Sequence, residues 1–183
     1  MADFYHRALA DLGAVFDRLD PDAVAGAVDE IAAAGRVALY GVGREGLQIK
    51  GFAMRLFHLG LGAAVVGDMT APPLGPGDLL IVSAGPGSFS TVLALMGVAR
   101  EAGARCLVVT AQAGGAAALA ADRVLIVPAQ TMADDSGPGL SVLPMGSLYE
   151  GALYLLFEAM IAQLQARLGI SAEAMRGNHT NLE

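Results

Sequence analysis

A chain of 183 residues has the length of one ordinary domain, and its 55% hydrophobic residues, at a mean hydropathy of +0.55, supply a sizeable core. Eighteen acidic against eleven basic residues leave a net charge of −7, which argues against a nucleic-acid partner because a phosphate backbone demands clustered Lys and Arg. Cys106 is the single cysteine, which excludes an internal disulfide or a multi-cysteine zinc site, reads as a small buried hydrophobe, and fits a reducing cytoplasm.

No basic-then-apolar secretion signal opens the chain. No apolar run reaches the roughly 20 residues of a membrane span; the longest candidate, 146–164, is interrupted by Glu150 and Glu158. The surplus of apolar residues is therefore expected on a subunit interface, in a homo-oligomer that is a dimer or a tetramer.

Phe4, Leu9, Leu12, Val15, Phe16 and Leu19 recur mostly at spacings of three and four, which predicts a helix over 3–19. Asp20 as cap and Pro21 at the first helical position start a second helix that runs to Ala34, where Gly35 stops it. Residues 36–40 form a short apolar run between turn signals and predict a buried strand. Gly41-Val-Gly-Arg-Glu-Gly46 follows as a turn, and a helix spans about 47–59. Further strands are predicted at 63–66, 78–83, 106–110 and 123–127, with helices at 91–101 and about 115–120 between them. Residues 128–145 show no period and read as a loop. A long apolar helix covers 147–168, and Ser171 caps a short helix before a polar tail.

Short apolar strands alternating with helices predict a parallel sheet covered on both faces. Five strands with right-handed crossovers give a doubly wound, flavodoxin-like α/β fold with an N-terminal helical extension, all in one domain over 1–183. Ligands of such sheets bind beyond the carboxyl ends of the strands at the switch in strand order. Two glycine-rich turns fall there, 41–46 and 83–91, and each opens a helix whose first N–H groups are free to meet an anion. Ser83, Ser88, Ser90 and Thr91 add hydroxyl donors. Taken alone, either turn is as well explained by tight strand-to-helix geometry. The 41–46 spacing also matches a dinucleotide fingerprint, although the acid expected about twenty residues on is missing and only Asp68 lies near.

Gly41-Val-Gly-Arg44, Phe52-Ala-Met-Arg-Leu-Phe-His-Leu-Gly60, Val65-Val-Gly67, Pro72-Pro73, Asp78-Leu-Leu-Ile81, Met145-Gly-Ser-Leu-Tyr-Glu150 and Asn178-His-Thr-Asn-Leu-Glu183 run through nearly the whole chain. In these blocks the chain resembles the 6-phospho-3-hexuloisomerases of the sugar isomerase (SIS) family. The resemblance implies the SIS fold, a phosphosugar-like ligand, no cofactor, no metal, and sites shared between subunits. It also implies interconversion of a 3-hexulose 6-phosphate and fructose 6-phosphate.

Moving a carbonyl along a sugar needs a base that takes a proton from carbon and returns it through an enediol. By the resemblance Glu150 is that base, although a carboxylate in the first turn of a helix serves equally as a cap. Burial would have to raise its pKa for the role. His179 is the expected second proton carrier, reaching a neighbouring subunit from the tail; a tail histidine is otherwise commonly a mere surface group. Gly43, Arg44, Glu45, Ser83, Gly87, Ser88, Ser90 and Thr91 are the expected ligand-binding residues, with Arg44 as a clamp. His58, on the apolar face of a helix, reads as structural.

Two departures stand against the resemblance. Glu45 replaces the serine that follows Gly-x-Gly-Arg in related sites, and Ala84-Gly-Pro-Gly-Ser-Phe89 replaces a hydroxyl-rich turn. Pro86 also removes one N–H donor. Either the phosphate is held differently or the ligand differs from the usual hexulose phosphate. A non-catalytic phosphosugar-binding module and a nucleotide-binding module are the alternative readings.

Overall fold

The computed structural model describes residues 1–137 and 139–182. Pro138, in the stretch expected as a loop, and Glu183, the last residue of the C-terminal motif, lie outside the described residues. Two helices, α1 (Ala2–Phe16) and α2 (Pro21–Ala33), precede strand β1 (Val37–Gly41). Then come α3 (Gly43–His58), β2 (Ala63–Val65), β3 (Leu79–Ser83), α4 (Ser90–Glu101), β4 (Arg105–Thr110), α5 (Ala116–Leu119) and β5 (Arg123–Ile126). The long α6 (Ser147–Leu168) and a short α7 (Ala172–Gly177) close the chain.

The five strands pair in parallel in the order β2-β1-β3-β4-β5, the doubly wound order with its switch between β1 and β3. Strand alternation sorts the core into two layers. Val37, Leu39, Leu79, Ile81, Leu107 and Val109 face one cluster with α2, α3 and α6, while Ala38, Leu80, Val82, Cys106 and Val108 face the other with α4 and α5. Both α1 and α2 pack on α6. Asp20 caps α2 by accepting from the Asp22 N–H at 2.9 Å, with Pro21 at its first position.

The expected fold class is what the structure shows, and α6 keeps its expected bounds. One boundary differs in a way that matters. The expected turn over 41–46 is in large part helix: α3 begins at Gly43, so Arg44 and Glu45 stand on its first turn. The cause is a close approach of backbone to backbone. An added Cβ on Gly46 would lie 2.5 Å from the Gly41 carbonyl oxygen, so only glycine lets α3 start this tightly against β1. At the far end, α1 stops at Phe16 rather than continuing to Leu19. Among the described residues no helix is long and apolar enough to cross a membrane.

Candidate active site

Register brings the two glycine-rich turns together. Gly41 of β1 pairs with Ser83 of β3, so the chain leaves both strands side by side at the switch point. The cleft that opens there has a volume of about 380 Å³, and Gly43, Arg44, Glu45, Pro86, Phe89, Thr131, Met132, Tyr149 and Glu150 are among the residues that line it. Expected residues from two distant stretches of sequence, Gly43, Arg44 and Glu45 on one side and Glu150 on the other, thus meet in one place.

Arg44 ties α3 to the start of α6. Its guanidinium donates to the Met145 carbonyl and to Ser147 Oγ (3.0 Å), and its Nε lies 3.1 Å from Glu150 Oε1. The Glu150 side chain is only 15% exposed, so it is held at the mouth of the cleft rather than in bulk water. Burial pushes its carboxyl above the ordinary carboxylate value; the Arg44 charge opposes that rise and the nearby Glu45 adds to it. The helix-start position lowers basicity, yet the net direction is upward, as a carbon base requires.

Glu45 turns inward. Its Oε2 accepts from Ser83 Oγ at 2.6 Å and from the Gly85 N–H at 2.9 Å. Ser83 Oγ lies 3.2 Å from the Tyr149 hydroxyl, which donates to the Val109 carbonyl at 3.0 Å. Burial raises the Glu45 carboxyl, against the pull of those two donors, and raises the Tyr149 phenol well above its ordinary value. The network depends on Gly85, because an added Cβ there would meet the Tyr149 ring at 2.8 Å and Glu45 Oε1 at 3.0 Å.

The remaining expected residues separate into three groups. Ser83 is fully buried and its hydroxyl is taken up by Glu45 and Tyr149, which corrects its expected place among the ligand-facing hydroxyls. Ser88, Ser90 and Thr91 are exposed at the start of α4 beside Phe89, with Gly87 buried just before them. His179 lies elsewhere. Its ring lies 5.0 Å from that of His58 at the end of α3, tilted by 31°, and Asn178 Nδ2 also donates to the His58 carbonyl at 3.0 Å. His58 stands fourteen positions along α3 from Arg44, about 21 Å. Within one subunit, His179 and Glu150 are therefore at opposite ends of α3.

Sequence reasoning missed Tyr149, Thr131, Met132, Phe89 and Pro86 as lining residues. Tyr149 is adjacent to Glu150 inside a quoted motif, but a lone aromatic in an apolar helix carries no signal that its hydroxyl enters a buried network. Thr131 and Met132 fall in the stretch without period.

Comparison with known proteins bears on this cleft. The sequence profile of the SIS domain matches residues 30–154. The chain is 39% identical over 166 residues to a 3-hexulose-6-phosphate isomerase of Mycobacterium gastri, covering 91% of this chain and 83% of the relative. It is 33% identical to a protein of the same name from Bacillus subtilis, covering 85% of this chain and 84% of the relative. A solved structure from Methanococcus jannaschii, for which a 3-hexulose-6-phosphate isomerase function was inferred, superposes with a TM-score of 0.82 at 26% identity over 100% of this chain and 98% of its own.

Proposed function

Since the chain belongs to the SIS-domain family and is a sugar-phosphate isomerase, we propose that it interconverts 3-hexulose 6-phosphate and fructose 6-phosphate with Glu150 as the base at carbon. The observation that carries this reading is the placement of Glu150: mostly buried, raised in pKa, paired with Arg44, and in the cleft beyond the carboxyl ends of β1 and β3. In the direction of fructose 6-phosphate, Glu150 takes the proton from C2 and returns it to C3 through a 2,3-enediol. Ser88, Ser90, Thr91 and the free N–H groups at the start of α4 are the donors left for the phosphate, since Ser83 and the Gly85 N–H are occupied by Glu45. Arg44 holds Glu150 in place and offers its charge to a sugar oxygen.

Incubation with fructose 6-phosphate in deuterium oxide, followed by NMR, tests the reaction. Deuterium entering at C3 is expected, because only a 2,3-enediol labels that carbon. Label confined to C1 would instead report an aldose–ketose isomerase, and a spectrum with neither label nor a second ketose phosphate would overturn this reaction.

The same reading places the enzyme in the cytoplasm as a single-domain chain that assembles into a homo-oligomer, a dimer or a tetramer. Its support is the apolar surface left uncovered. Phe4, Tyr5 and Leu9 of α1, Leu47, Met54 and Phe57 of α3, and Tyr154 and Leu155 of α6 are all exposed. His179 can serve as a proton carrier only in the cleft of a second copy, given its distance from Glu150 in its own. Light scattering at micromolar concentration is expected to return a multiple of the 18.6 kDa chain. A monomer mass would contradict it.

A further inference from the structure

Resting on that reading, we propose that Glu45 is a second catalytic proton carrier, moving protons between the two substrate oxygens while Glu150 moves the proton on carbon. The geometry selects which oxygen does this. Both hydrogen bonds to the Glu45 carboxyl, from Ser83 Oγ and the Gly85 N–H, land on Oε2. An oxygen facing two donors has no room for a proton of its own, so a proton on this carboxyl sits on Oε1. Oε1 has no such partner, yet among the described residues no buried side-chain oxygen or nitrogen is left unsatisfied; Oε1 is therefore not sealed in the core, and Glu45 lines the cleft. A carboxylic acid fixed this way presents an O–H to whatever occupies that space.

Glu150 lines the same cleft in a different environment. The Arg44 guanidinium lies 3.1 Å from it, whereas among the described residues no cation pairs with Glu45. Two carboxyls whose surroundings differ in this sense divide the work of acid and base: the Arg44 guanidinium favours the ionised form of Glu150, whereas burial favours the protonated form of Glu45 against the two donors on its Oε2. The titratable and charged groups around Glu45 are Arg44 on its own helix and Tyr149 and Glu150 on α6; the Tyr149 hydroxyl is occupied with Val109.

The steps balance without any co-reactant. Starting from 3-hexulose 6-phosphate, the Glu150 carboxylate takes the C2 proton, the C–H electron pair becomes the C2–C3 double bond, and the C3 carbonyl oxygen takes the proton from Glu45 Oε1. The enediol then collapses. Glu45 takes the proton from the C2 hydroxyl, whose electrons form the C2 carbonyl, and the double-bond pair takes the proton back from Glu150 at C3. Both carboxyls end as they began. The glutamate that stands where related sites carry a serine is thus given a chemical task inside a single subunit.

Glu45→Gln tests it. The amide oxygen can still accept from Ser83 and Gly85 while its NH₂ faces the cleft, so the shape is kept and the transfer is lost. With fructose 6-phosphate, kcat is expected to fall by about 100-fold or more, with KM changed by only a few-fold. The wild-type kcat should fall at high pH as Glu45 loses its proton, and that limb should be missing in Glu45→Gln. A wild type that isomerises and labels C3 while Glu45→Gln retains kcat within a few-fold overturns this proposal and leaves the function standing. A wild type that neither isomerises nor labels overturns both. His179→Ala provides the opposing arm: a loss of about 100-fold there with Glu45→Gln unaffected would assign the oxygen protons to a neighbouring tail. Should Glu45→Gln fail to fold, the wild-type profile decides alone, and the absence of a high-pH fall in kcat overturns the assignment.

Discussion

Glu150→Gln should cut kcat with fructose 6-phosphate by about 1,000-fold while leaving ligand binding within a few-fold, because general base catalysis of this kind contributes 10²–10⁴. The amide keeps the volume of the carboxylate, and its oxygen can still meet the Arg44 guanidinium that now lies 3.1 Å from Glu150 Oε1. What disappears is the capacity to hold a proton taken from carbon. Turnover and calorimetric binding measured on the same preparations separate these terms. Unchanged turnover in the variant, with a confirmed substrate, would remove Glu150 from the chemistry. Loss of binding in step with turnover would make it a binding group instead.

The second large effect is expected far from any titratable group. Gly46→Ala places a Cβ 2.5 Å from the Gly41 carbonyl oxygen and 3.1 Å from its carbon, a collision between two stretches of backbone that neither side chain rotation nor local repacking relieves. Destabilisation of about 3 kcal/mol is expected, a fall in Tm of roughly 6–12 °C for a chain of this size. Activity should fall as well, since α3 must move away from β1 and carries Arg44 and Glu45 on its first turn. The neighbouring Gly51→Ala is the internal control. Its Cβ would meet nothing within 4 Å, and alanine is the better helix former by about 1 kcal/mol, so that variant should be as stable as the wild type or more so. Equal melting of the two variants would show that the approach of α3 to β1 is not a constraint.

Much of this architecture can be read before folding, and the reasons are local. Strands such as 79–83 and 105–110 are continuous apolar runs between glycine or polar turns, and α6 is bounded by Gly146 and Gly169. What could not be read depends on register between distant segments. The sequence 41–46 looks like a loop because glycine is a poor helix former, and only its contact with β1 makes it the first turn of α3. Glu45 looks like a misplaced charge at an anion site. That it turns inward follows from the pairing of Gly41 with Ser83, which sets Ser83 Oγ and the Gly85 N–H beside it. Ser83 reads as a ligand-facing hydroxyl for the same reason, since nothing in its neighbours in sequence reveals the carboxylate and the phenol that enclose it. Glu150 and Arg44 were legible because each sits in a recognisable block, but their 3.1 Å contact spans 106 positions.

The packing of α1 and α2 against α6 has a consequence for how the chain is made. The apolar residues Val24, Val28 and Ile31 of α2 leave the ribosome early, while Leu153, Leu156 and Met160 of α6, part of the same buried cluster, are translated only after the whole sheet. At roughly 5–20 residues per second, that gap lasts on the order of ten seconds. Through that interval the sheet can assemble strand by strand around β1, β3 and β4, but the layer formed by the first two helices has no final helix to close on. The late translation of α6 makes its docking a concluding event of folding, and the newborn chain carries an exposed apolar surface until then.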